Sequence, residues 1–126
     1  MKPLLVSRVE PFSPGDESAE VSLQSEFGEL VVFSYPCDLK PGGLVPNKLS
    51  VLDGDAKAAY LADWPDEMKK EHAVERIERT GPFSYKGIGY VADQSSGLVE
   101  VLGFVLDFGE VPCAGHVEFE CLRVDL

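Results

Sequence analysis

Ala19-Glu20-Val21-Ser22-Leu23-Gln24-Ser25-Glu26-Phe27-Gly28-Glu29-Leu30-Val31-Val32-Phe33-Ser34-Tyr35 is the stretch that decides the fold. Over residues 19–27 the side chains alternate. Val21, Leu23 and Phe27 fall on one side, and Glu20, Ser22, Gln24 and Glu26 fall on the other. A period of two is the mark of a strand with one buried face. Gly28 allows a tight reversal, and Leu30-Val31-Val32-Phe33 is apolar on both faces, as in a strand covered on both sides. Residues 19–27 and 29–35 therefore predict a β-hairpin.

Working outward, residues 3–10 are apolar and extended. Ser13-Pro14-Gly15-Asp16 has the chemistry of a type II turn, in which Pro presets φ and Gly accepts a positive one. Residues 36–62 hold Pro36, Pro41, Gly42, Gly43, Pro46 and Asp53-Gly54 among apolar residues that need shelter. They read as a long packed loop with a short strand near 48–52 and a helical turn at 55–62. Asp63-Trp64-Pro65-Asp66-Glu67 is a helix start: a capping Asp, Pro in the first turn, and acids at the positive end of the dipole. Gly81-Pro82 is a stop. The pattern predicts a helix over 65–80, with Glu75 and Arg79 paired one turn apart.

Strand patterns resume at 83–92, reach a hairpin loop at Asp93-Gln94-Ser95-Ser96-Gly97, and continue at 98–108, which is apolar on both faces and reads as the central strand. In the last strand, 116–125, the alternation slips: Val117, Phe119 and Cys121 share one parity, and Leu122, Val124 and Leu126 share the other. A bulge near 121–122, or a strand crossing between sheet faces, reconciles them. The element order β-β-β-α-β-β-β points to a mainly β (α+β) fold, a small, partly open antiparallel barrel of OB type. A sandwich or a split barrel with a helical flap is the alternative.

Length bounds the rest. A chain of 126 residues is read as one domain, 1–126, able to bury one core. Three cysteines, Cys37, Cys113 and Cys121, are too few and odd in number for a disulfide framework. The opening Met1-Lys2-Pro3-Leu4-Leu5-Val6 has an apolar run too short for a signal peptide, so a cytoplasmic protein is expected.

The motifs carry little chemistry. Cys113-Ala114-Gly115-His116, with a third ligand from Cys121 or Cys37, has the spacing of half a zinc site. A regular strand would point His116 and Cys121 to opposite faces, so structural cysteines and no metal are expected. Nucleophilic catalysis needs a nucleophile, a base and an orienting group. The two histidines, His72 on a charged helix face and His116 at a strand start, have no nucleophile elbow beside them. Gly87-Ile88-Gly89 lies inside a strand pattern, and Pro41-Gly42-Gly43 lacks the Lys-Ser/Thr of a phosphate loop. No catalytic residue and no cofactor are assigned.

Charge is the strongest functional signal. Eleven Lys and Arg face twenty-two Asp and Glu, a formal net charge of −11 and a pI near 4.5. Residues 82–126 carry seven acids and two bases, and residues 1–35 carry six and two. Such a surface repels phosphate backbones and anionic lipid, which disfavours nucleic acid and membrane as partners. Aromatics that could stack bases, such as Phe83, Tyr85, Tyr90 and Phe104, lack the basic groove such binding needs.

The expected partner is instead a cationic protein. Immunity proteins and antitoxins of bacterial toxin pairs work this way, plugging a basic active site without catalysis of their own. The candidate contacts are Asp66, Glu67 and Glu71 on the helix, Glu118 and Glu120 on the last strand, and Tyr60 and Trp64 as aromatic anchors. A second expectation is an accessory barrel whose 36–62 loop lies over an apolar mouth lined by Leu44, Val45 and Tyr60.

Overall fold

The computed structural model describes residues 3–35, 38–59, 64–72 and 74–126. Over these described residues it is mainly β, with one helix and a sheet that does not close. In chain order the elements are β1 (Leu4–Pro11), β2 (Ala19–Gln24), β3 (Glu29–Ser34), β4 (Leu44–Val45), β5 (Leu49–Leu52), β6 (Asp55–Ala58), α1 (Asp66–His72), β7 (Arg76–Arg79), β8 (Tyr85–Asp93), β9 (Leu98–Val101), β10 (Phe104–Asp107), β11 (His116–Cys121) and β12 (Arg123–Asp125). The strands join in the order β4-β1-β2-β3-β12-β5-β10-β9-β8-β11-β6. β11 lines one edge of β8, while β7 and then β9 line its other edge.

The predicted hairpin is present. β2 and β3 pair antiparallel from Ala19↔Ser34 to Gln24↔Glu29. Val21 and Leu23 enter the core with Leu30 and Val32, while Phe27 belongs to the connecting loop and faces solvent. The turn at Ser13–Asp16 closes through an amide of Asp16 donating to the Ser13 carbonyl at 2.9 Å, with Gly15 at φ +81°.

Alternation sorts the whole sheet into two faces. Val6, Val21, Val32, Val124, Leu49, Leu106, Val99, Val91 and Val117 fall on the inner one and form a single hydrophobic cluster. The sheet curls around that cluster. Tyr85 on β8 reaches across it to β3, although four strands lie between them along the sheet.

Several expectations need correction. The 36–62 stretch, described over 38–59, holds the strand expected near 48–52 as β5, but it also holds β4, and β6 stands at 55–58 where a helical turn is expected, with residues 60–62 outside the described residues. β4 and β6 are two and four residues long, too short to show a period. The helix ends at His72 rather than running to 80. Residues Arg76–Arg79 form β7 against β8, and Gly81-Pro82 lies in the turn between them, closed by the Thr80 amide donating to the Ser84 carbonyl at 2.9 Å. Strand pairing has overridden helix propensity, and Gly87 permits it: a Cβ there would collide with the Arg76 carbonyl. Glu75 and Arg79 do not pair with each other. Glu75 accepts from the Leu102 amide at 3.2 Å, and Arg79 donates to Glu20 at 3.2 Å.

Residues 98–108 are not one strand but a hairpin, β9 and β10, turning at Leu102 (φ 47°) and Gly103 (φ 84°). Two left-handed central residues match the twist of the flanking strands. Finally, the element order is six strands, helix, six strands rather than β-β-β-α-β-β-β, and the sheet is not purely antiparallel: β10 with β5, and β12 with β3, run parallel. The slip expected at 121–122 is present, because Leu122 separates β11 from β12 and the chain passes to new neighbours.

Candidate functional site

β11 carries Glu118 and Glu120 on the outer face, and register sets their surroundings. Lys57, Glu118, Ile88 and Arg76 lie side by side across β6, β11, β8 and β7. The next row is Asp55, Glu120, Lys86 and Glu78. The two rows line a shallow groove of about 520 Å³ with Ile88 buried in its floor. Charges of both signs interleave in it. Lys57 lies 3.6 Å from Glu118, and Lys86 lies 3.6 Å from Glu78. This is a mixed field, not a block of carboxylates. Exposed pairs of this kind contribute less than about 1 kcal/mol each.

Asp66, Glu67 and Glu71 are exposed on α1, with Trp64 half-buried just ahead of it. These four belong to the helical segment, and Glu118 and Glu120 to the β11 face. Tyr60 lies outside the described residues. Leu44 and Val45 do not share a mouth. As consecutive strand residues they point oppositely, so Val45 is in the core while Leu44 faces outward.

His116 and Cys121 occupy opposite ends of β11, about 16 Å apart at strand rise. One metal ion cannot bridge that span. The His116 ring stands edge-on to Tyr90, with centroids 5.2 Å apart. Cys121 is in the core, and burial pushes its thiol up from the ordinary value of 9.0. Among the described residues, no three His, Cys, Asp or Glu side chains gather to hold a metal ion. Cys37 lies outside the described residues.

A second groove, of about 390 Å³, is one the sequence reading missed. It lies where the β2–β3 loop meets the β9–β10 turn. Ser25 Oγ donates to the Leu102 carbonyl at 2.6 Å and accepts from the amides of Phe27 and Gly28, each at 3.2 Å. Asn47 Nδ2 donates to the Gly103 carbonyl at 2.7 Å, and its Oδ1 accepts from the Val105 amide at 3.0 Å. Two polar side chains thus fix both walls. Pro3, Leu5 and Phe27 supply apolar lining, Glu26 and Glu100 supply carboxylates, and neither lysine nor arginine is among its described lining residues. The Ser25-Glu26-Phe27-Gly28 turn was the available signal, since a Ser that bonds two residues on makes Phe27 a loop residue.

A third exposed feature is aromatic. Phe12, Phe33 and Phe83 form a triangle with centroids 5.7–6.0 Å apart, and the Arg123 guanidinium lies 4.6 Å from the Phe33 ring centre. Arg123 is held by Asp125 at 2.7 Å.

No family model matches this chain, and neither a curated protein nor a solved structure does. No helix among the described residues is long and apolar enough to cross a membrane.

Proposed function

We propose that this chain is a small acidic binding protein, cytoplasmic and without catalysis of its own, that docks on a basic partner protein in the manner of an immunity or antitoxin-type inhibitor. One observation carries the reading: the net charge of −11 on 126 residues. The disposition of the cations supports it. Arg8, Lys48, Lys57, Arg79, Lys86 and Arg123 each stand in an ion pair with a neighbouring carboxylate. Their fields are spent locally, so the excess of acids sets the sign of the surface potential. A basic partner is drawn to such a surface at a raised rate, and its binding relieves the mutual repulsion of the acids.

The test is capture from native lysate at about 50 mM salt, where screening is weak. The expected result is a protein of basic pI that elutes at high salt and reconstitutes with this chain, from purified components, as a complex of fixed stoichiometry. Retention of nothing, or only of proteins that fail to reconstitute, would overturn the proposal.

A further inference from the structure

We infer that the groove between the β2–β3 loop and the β9–β10 turn is where the basic partner docks, and that it takes a lysine or arginine side chain. The methylene stem lies on Leu5 and Phe27, and the cationic head meets the carboxylate of Glu100. This rests on the docking reading above and adds a location and a recognised chemistry to it.

Three observations carry the assignment. The first is charge complementarity. The larger groove on β6, β11, β8 and β7 is lined by Lys57, Arg76 and Lys86, so an incoming cation would have to compete with cations already there. Among its described lining residues the smaller groove has two carboxylates, Glu26 and Glu100, and no lysine or arginine, and Glu100 is the one that the incoming cation meets. A third carboxylate, Glu75, sits on the adjoining turn through the Leu102 amide.

The second is exposed apolar surface. Phe27 is 69% exposed and Leu44 65%, and Leu44 faces Leu5 across the β1–β4 pair. An aromatic and two leucines beside carboxylates fit a side chain that is apolar along its stem and charged at its tip. Contiguous exposed apolar residues rimmed by polar ones mark interaction surfaces.

The third is rigidity. Ser25 and Asn47 tie the groove's two walls to each other through backbone groups that lie 56 to 77 residues away in the sequence. A preformed site loses little entropy when occupied.

The test is shift mapping on the ¹⁵N-labelled full chain with acetyl-Leu-Arg-Leu-Arg-amide at about 50 mM salt. The matched peptide with Gln in place of Arg is the control. The expected result is that shifts centre on the amides of Leu5, Phe27, Glu100 and Gly103 with the Arg peptide only. E100Q should weaken binding about fivefold, the scale of one exposed charge pair. E17Q lies two residues before β2, at the end of that strand away from the groove, and should leave binding within about twofold. The amide spectrum of each variant reports whether it is folded. Shifts centred on α1 or β11, with E100Q neutral, would overturn the location while leaving the docking reading to stand on the capture experiment. Absence of shifts, or equal shifts with the Gln peptide, would overturn the lysine or arginine assignment. Failure of capture and reconstitution would remove the docking reading itself.

Discussion

The Tyr85 hydroxyl donates to the Val31 carbonyl at 2.8 Å and accepts from the Val31 amide at 2.9 Å. A single phenol thereby satisfies both backbone groups of one strand residue, as a neighbouring strand would. The geometry of β3 explains why. On one edge it pairs fully with β2, but on the other it meets β12 only at Phe33↔Asp125. Val31 would otherwise present an unpaired donor and acceptor beside the core. The contact also joins two parts of the sheet remote from each other in strand order, and so holds the curl.

Tyr85→Phe keeps the ring and removes both bonds. The expected cost is about 1–3 kcal/mol, the penalty for leaving buried backbone groups unsatisfied. Urea unfolding should show a lower midpoint with an unchanged slope. An unaltered midpoint would show that water or a rearranged β12 replaces the phenol.

Alkaline pH should act on the same region. Burial is the main cause that raises Tyr85 above its ordinary 10.0 and Cys121 above 9.0. Both groups are neutral when protonated, and the fold favours that form. Their contribution is therefore complete below the unfolded values and is lost as pH rises through the folded ones. Stability should begin to fall above about pH 9 and fall more steeply above about pH 10. Cys121→Ala should remove the first part of the decline and Tyr85→Phe the second. Urea midpoints measured across that range check the sign. A midpoint that rises with pH would contradict it.

The β9–β10 turn should depend on Asn47 and Gly103. Gly103→Ala places a Cβ at φ 84° and within 3.0–3.1 Å of Ser25, so a loss of about 1–2 kcal/mol is expected. Asn47→Ala leaves the Val105 amide and the Gly103 carbonyl without their partner, and should cost about 1–3 kcal/mol. Hydrogen exchange at the Val105 amide is the direct readout. It should quicken by at least tenfold in Asn47→Ala, and an unchanged rate would mean the amide is protected by something else.

β7 should come away from the sheet in Gly87→Ala. Ile77 sits opposite Gly87, and there is no room for a methyl between β7 and β8. Loss of amide protection over residues 76–79, with β8 and β11 still protected, is the expected pattern. Full retention of that protection would refute the close approach.

Legibility followed periodicity. The β2–β3 hairpin could be read because Val21 and Leu23 alternate with Glu20, Ser22 and Gln24. The break at Leu122 could be read because a change of parity has few structural causes. Residues 98–108 could not, because a run that is apolar on both faces has no period, and its turn is marked only by Gly103 after a leucine in an unfavoured conformation. Residues 76–79 could not, because their pairing with β8 depends on the absence of a side chain at Gly87. The two grooves differ in the same way. Outward projection of Glu118 and Glu120 follows from alternation, but their lysine neighbours come from pairing with β6 and β8. The smaller groove joins Ser25 to Leu102 and Asn47 to Gly103, contacts that no local window contains.

The association rate with the reconstituted basic partner, measured by stopped flow as a function of salt, tests the central claim most directly. Docking steered by the acidic surface predicts a rate that falls at least tenfold between about 50 and 500 mM salt, while dissociation changes little. An association rate flat across that range would contradict it.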